Sequence, residues 1–315
     1  MRIDYAKGCA MPPDTLPLSA HLTAASSLSP AMKLWEVYLA DKGRSPHTVK
    51  AFNADIQLLG SYLPPDKSIG SITTDDLNNF LSWLQTRRGV PCSPKSLARR
   101  ITALKSFFRW LQKGGILTTD PAEKVVQQSV MSPLPEILTP EERLRVLEVA
   151  GRHRTNARPD ARPYALVALL LATGIKKGEC LALSPNHLDL DNPDGAQVFI
   201  RYASPASRYK ERKIALPAEW VTAWHEYSAQ YPASVERVFP WSQRRLEYLL
   251  EDLGEEAGLS KHLSFDMCRW TAVVTDFQNG MEADKIRQKL GISKIQYREI
   301  GLKIGKLAGV KPTQA

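Results

Sequence analysis

The sequence predicts a mainly α-helical protein with a small β-sheet, an α+β chain in two domains, and three observations carry that prediction. Apolar residues recur at helical spacing through most of the chain, several of the runs opened by a capping signal. A polar, proline-punctuated stretch at 127–137 interrupts the series. Only Val198-Phe199-Ile200 and Lys213-Ile214-Ala215-Leu216 read as strands of a small sheet.

Residues 1–28 hold Pro12, Pro13 and Pro17 among Ser, Thr and Ala without steady periodicity, which predicts a flexible tail. Helical text fills 29–126. An early helix spans about Met32 to Leu39. Ser45-Pro46 then sets an N-cap before a first-turn proline, followed by Val49, Phe52, Ile56, Leu59 and Tyr62 on one face. Thr73 with Asp76 forms a capping box ahead of Leu77, Phe80, Leu81 and Leu84. Ser93-Pro94 opens another helix with Leu97, Ile101, Leu104, Phe108 and Leu111 buried, stopped at Gly114-Gly115. Beyond the linker at 127–137, Thr139-Pro140-Glu141-Glu142 opens a second domain, 138–315. Pro163 to Leu183 is apolar nearly all round, a buried helix interrupted at Thr173-Gly174, and the chain after the two strands is mostly helical.

Three hundred and fifteen residues suffice for two domains with real cores. A net charge of +9 and a pI near 9.3 favour a polyanionic partner, because each phosphate neutralised by Lys or Arg releases condensed counterions. Cys9, Cys92, Cys180 and Cys268 lie far apart with no metal-ligand spacing, so neither a disulfide framework nor a zinc site is expected, and no cofactor. No apolar run approaches a membrane span, and the first residues lack a basic segment followed by an apolar one. A soluble, cytoplasmic protein is the expectation.

Two segments carry chemistry. Thr173-Gly174-Ile175-Lys176-Lys177-Gly178-Glu179 and Asp266-Met267-Cys268-Arg269-Trp270-Thr271 resemble the two arginine boxes of the tyrosine recombinase (phage integrase) family, T-G-L-R-x-x-E and H-x-L-R-H/W-T. Lys210-Glu211-Arg212-Lys213-Ile214-Ala215-Leu216-Pro217 resembles the family's K-x-R-x-V-P-L strand. Val238-Phe239-Pro240 with Glu256-Ala257-Gly258-Leu259 resembles the approach to the second box, and Ile286 to Leu290-Gly291 resembles I-Q-x-L-G-H. The order matches from about 30 to about 305. The resemblance implies a helical core-binding (SAM-like) domain, a catalytic-type domain and double-stranded DNA as partner. It also implies a chemistry in which arginines grip a scissile phosphate, a strand-loop lysine protonates the leaving oxygen, and a tyrosine attacks to give a 3′-phosphotyrosyl enzyme.

Several working positions depart from that pattern. Lys176 replaces the first arginine, keeping charge but losing the planar fork. Asp266 stands at the histidine position, Arg269 and Trp270 match, and Ser207 falls where the general-acid lysine should be, next to Arg208. Ile292 follows Gly291 in place of histidine, and the tyrosine position, about ten residues after that glycine, is Gly301; the nearby Tyr297 comes more than a turn early. Losing one preorganised donor costs roughly a hundred- to a thousandfold in rate, so the set implies an inactive homologue. Expected DNA contacts are Arg99, Arg100, Lys105, Arg109, Lys176, Arg208, Lys210, Arg212 and Arg269. Other readings stay open: a divergent recombinase using Tyr297, or a protein-interaction module without DNA binding. Lys176 and Lys177 are also readable as a solvated helix turn, and Arg269 as a structural partner of Glu179. Partners beyond DNA would be an active recombinase or further copies of the chain, in the service of a mobile element or plasmid.

Overall fold

The computed structural model describes residues 22–90, 92–126, 133–232 and 236–309. Most of the expected tail, and the linker residues 127–132, lie outside them. The chain divides into two compact units, Met1–Pro133 and Leu134–Ala315.

The first unit is all helical: α1 (Leu28–Asp41), α2 (Pro46–Tyr62), α3 (Thr74–Thr86) and α4 (Pro94–Lys113). Its starts follow the local signals. The Ser45 and Ser93 side chains accept from the amides of Thr48 and Ser96, and Thr73 and Asp76 cap each other reciprocally. Trp35 is the centre of the core, with the rings of Phe52 and Phe107 at 6.0 and 5.1 Å. Residues 22–28, which the sequence assigns to the tail, are built into this unit. Leu22 and Leu28 are buried, and the Ser26 and Ala24 carbonyls accept from Ile69 and Gly70 at 2.8 and 2.7 Å. These bonds join segments more than forty residues apart, which no periodicity in the tail announces.

The second unit contains α5 (Pro140–Thr155), α6 (Arg162–Thr173), α7 (Lys177–Leu181), a sheet, then α8 (Ala218–Gln230), α9 (Gln243–Glu256), α10 (Phe265–Gln278), α11 (Ala283–Leu290) and α12 (Lys294–Leu307). The sheet is antiparallel in the order β1 (Leu188–Asp189), β2 (Gln197–Ile200), β3 (Arg212–Ala215), with Val198 opposite Ile214. Two strands were expected; β1, of two residues, is too short to show an alternating pattern. Helix α6 is buried on nearly every side and packs against α10. It ends at Gly174, whose φ of 61° is a left-handed C-cap. The Trp220 indole anchors α8 on the Ala165 carbonyl of α6 at 2.8 Å.

Candidate functional site

A cleft of about 750 Å³ opens on the second unit, its wall formed in part by Lys176, Lys177, Arg244, Asp266 and Arg269. Beneath it lies a buried ionic assembly centred on Glu179. Its carboxylate accepts from both terminal nitrogens of Arg212, at 3.0 and 2.9 Å, from the Lys176 backbone amide at 2.8 Å, and from the Tyr202 hydroxyl. Burial alone would raise the carboxyl's pKa, but Arg212 and these donors outweigh it and hold it at about 2. The same burial and the bond to Glu179 push the Tyr202 phenol up to about 12.

Helix ends place the arginines. The last carbonyls of a helix lack partners within it and carry a partial negative charge. Arg212 Nε donates to the Lys289 carbonyl at 2.6 Å, and Arg269 Nη2 donates to that of Leu290 at 3.1 Å, both in the last turn of α11. Arg269 Nη1 donates in addition to the carbonyl of Gly174, the C-cap of α6. One guanidinium thus closes two helix C-termini. Two of its five N–H groups are spent on these carbonyls. Burial, with repulsion from Arg212, pushes Arg269 down to about 10 despite the opposing pull of Glu179. The Lys176 ammonium is lowered as well, first by burial, then against the pull of Glu179 by Arg269, Arg212 and Lys210. Four cations are therefore held at close quarters around the buried Glu179 carboxylate, with Asp266 at the cleft beside Arg269, and a bound anion would relieve their repulsion.

Comparison with known proteins fits this geometry. The profile of the phage integrase N-terminal SAM-like domain matches residues 32–115. The tyrosine recombinase XerC of Xanthomonas campestris pv. campestris (strain B100) is 27% identical over 265 residues, covering 81% of this chain and 78% of its own. XerC of Roseiflexus castenholzii is 28% identical over 280 residues, covering 84% and 85%. Over most of its length the chain resembles tyrosine recombinases. Among solved structures, a lambda integrase dimer bound to a COC′ core site shares the fold at a TM-score of 0.69 and 15% identity, over 92% of this chain and 80% of that one. XerH in a post-cleavage complex with palindromic difH does so at 0.69 and 19%, over 90% and 84%.

In this tyrosine recombinase homologue the expected site residues separate into three groups. Lys176, Asp266 and Arg269 line the cleft together, with Asp266 exposed on the first turn of α10. Lys210 joins them through its charge on Lys176. It ends the 3₁₀ turn Pro205–Lys210, and its ammonium lies 5.9 Å from the Tyr202 ring and 5.1 Å from that of Tyr209. Aligning the strand by sequence puts Ser207 at the lysine position, yet Lys210 is the cation that the loop brings close to Lys176. Arg208 is exposed on the same turn.

The second group is turned inward. Arg212, expected on DNA, is 7% exposed at its side chain and committed to Glu179. The alternative pairing of Glu179 with Arg269 gives way to Arg212, which reaches the carboxylate from β3. Arg100 is likewise no surface group. It is ion-paired with the buried Asp55 at 3.4 Å and donates to Cys92 Sγ. Helical arithmetic gives the reason: Arg100 lies roughly 140° round α4 from Lys95, toward the core stripe. Lys95, Arg99, Arg109 and Lys113 share the outer stripe, and all but the half-buried Arg99 are exposed. Arg99 reaches Asp55 at 3.0 Å, and Lys105 leans on the Glu123 carbonyl at 3.4 Å. Burial raises the Asp55 carboxyl even against these two arginines.

The third group stands apart from the cations. Trp270 packs into the small apolar cluster of Val273, Ile286 and Ile304, as does the half-buried ring of Tyr297. Burial, then the charge of Asp284, raises the Tyr297 phenol. Its ring covers Gly301, where an added Cβ would come within 3.2 Å of it. Among the described residues no group of three His, Cys, Asp or Glu could hold a metal ion, and no helix is long and apolar enough to cross a membrane.

Proposed function

We propose that this chain binds double-stranded DNA as an accessory to recombination of a mobile element or plasmid, and does not cut strands itself. Its cation-lined cleft has the charge to grip a backbone phosphate, and a dimer of its structural neighbour lambda integrase is bound to a DNA core site. The observation that carries the non-cleaving reading is the nucleophile position. By sequence spacing Gly301 falls there, and the nearby Tyr297 is packed among apolar side chains, its phenol raised by burial and by the charge of Asp284. Asp266 adds a carboxylate where a phosphate donor is needed.

A gel decides the matter. Nicked duplexes carrying a site that the protein itself selects from a randomised pool are incubated with it and run under denaturing conditions. No covalent adduct is expected, and Tyr297→Phe should leave recombination that depends on the chain unchanged. A trapped adduct that Tyr297→Phe abolishes would establish the second reading, an active enzyme, which the charge of Lys210 beside Lys176 favours.

The first unit contributes through the outer stripe of α4. Replacing Arg109 and Lys113 together with Ala should lower the slope of log affinity against log salt by about 2 while leaving the melting temperature unchanged. Arg100→Ala should do the reverse, keeping the slope but destabilising the unit, because Asp55 would lose a buried partner. An unchanged slope in the double variant would show that this stripe faces solvent in the complex.

A further inference from the structure

We infer that Tyr209 is an aromatic contact for a nucleobase, carried on the β2–β3 loop, and that it gives the protein a preference for duplexes with locally unstacked bases. The inference rests on the DNA-binding reading above and goes beyond it, since phosphate grips carry no base contact.

Tyr209 is 71% exposed, the most exposed aromatic ring among the described residues' large side chains in the open. Single exposed hydrophobic side chains are common on protein surfaces and need no explanation. The setting of this one differs. The loop is tied down at its root: the Tyr202 amide donates to Glu211 at 2.9 Å, and the Tyr202 hydroxyl and Arg212 both donate to Glu179. From that root an alternating series runs outward. The Lys210 ammonium stands between the anchored Tyr202 ring and the Tyr209 ring, at 5.9 and 5.1 Å, so a cation–π contact holds the outer ring to the inner one. Arg208, the preceding residue, is also exposed. Lys210 also lies close enough to Lys176 to lower its pKa, which puts the base of this series beside the phosphate-gripping cations.

An exposed ring with Lys210 against it and Arg208 next to it in sequence, carried on a rigid root, has the chemistry of a stacking platform on a charged strand. Each base offers a π-face, so stacking is sequence-tolerant, and the neighbouring cations meet the phosphates on either side. Base faces are accessible only where stacking is already broken, so the contact favours mismatched or unpaired positions over intact duplex.

The test uses the full-length protein and fluorescence anisotropy with two labelled duplexes of one sequence, one intact and one with a short central mismatched bubble. Wild type is expected to bind the bubble more tightly, and Tyr209→Ala to lose about tenfold on it while changing intact-duplex affinity less than threefold. Tyr209→Phe, which keeps the ring, should stay within about twofold of wild type on both. Melting curves of the variants should match wild type, since the side chain lies in the open. Equal affinity of wild type and Tyr209→Ala on the bubble would overturn the inference while leaving DNA binding standing. Failure of the wild type to bind either duplex would overturn both. An equal loss by Tyr209→Ala and Tyr209→Phe would also overturn it, because a hydroxyl contact, not stacking, would then be the source.

Discussion

Glu179→Ala should cost the second unit about 3 to 5 kcal/mol, the usual penalty for removing one partner of a buried ion pair, and lower its melting temperature by roughly 10 °C. Glu179 is 6% exposed, and its carboxylate answers four donors: two from Arg212, one from the Lys176 amide and one from Tyr202. Without it, the Arg212 guanidinium stays in the interior near Lys176, Lys210 and Arg269, with its buried counter-charge gone. The pH dependence follows from the direction of the shift. The folded carboxyl titrates at about 2 against an ordinary value near 4.5, so its contribution is full above about 4.5 and disappears as pH falls through the folded pKa. A displacement of that size corresponds to about 3 kcal/mol. The stability gap between wild type and Glu179→Ala should therefore be constant from pH 7 to about 5 and narrow toward pH 2. The measurement is urea unfolding across that range. A gap that persists undiminished at pH 2 would mean that the charge of Glu179 contributes little.

Local grammar was legible in the sequence where its partners lie within a turn or two. The Thr73–Asp76 and Thr139–Glu142 capping boxes, the Ser45-Pro46 and Ser93-Pro94 starts and the break at Gly174 all appear as expected, because a cap is settled by residues three apart. The boxes around Lys176 and Arg269 were readable as linear patterns too, and the fold brings them together at one cleft. What the sequence concealed is how the charges are distributed between structure and surface. Arg212 and Arg269 are both arginines in family motifs, yet one is consumed by Glu179 and the other closes two helix ends. Their partners sit 33 and 95 residues away, beyond any periodicity. Arg99 and Arg100 are neighbours in the text and both reach Asp55, but one residue of rotation on α4 leaves the first half-exposed and turns the second toward the core. Lys210 was expected on DNA but not at the general-acid position, because alignment by sequence spacing favoured Ser207 there, whereas the 3₁₀ turn Pro205–Lys210 winds the loop so that the later residue approaches Lys176.

Gly291→Ala should be the most damaging glycine substitution in the second unit, and the reason is the same ionic assembly. Gly291 closes α11 with a φ of 60°, where any L side chain is strained by about 1 to 2 kcal/mol. Gly174 is a natural control, with φ of 61° at the end of α6. The two differ in what a Cβ would meet. At Gly174 the nearest atom is the Ala272 methyl at 3.4 Å, an ordinary contact. At Gly291 it is Arg212 Nη1 at 2.7 Å, with Cζ and the Lys210 carbonyl at 3.0 Å. The guanidinium cannot retreat cheaply, since Nε is fixed on the Lys289 carbonyl and both terminal nitrogens are fixed on Glu179. Displacing it would add a share of the 3 to 5 kcal/mol that loss of a buried pair costs, for a total of about 4 kcal/mol or more. Gly174→Ala should stop near the backbone strain alone. A double-mutant cycle isolates the cause: in an Arg212→Ala background, Gly291→Ala should cost clearly less than in the wild type, because the guanidinium is gone and only the backbone strain and the Lys210 carbonyl at 3.0 Å remain. If the cost of Gly291→Ala were the same with and without Arg212, the strain would reside in the backbone of the α11 terminus and the guanidinium would not be its source.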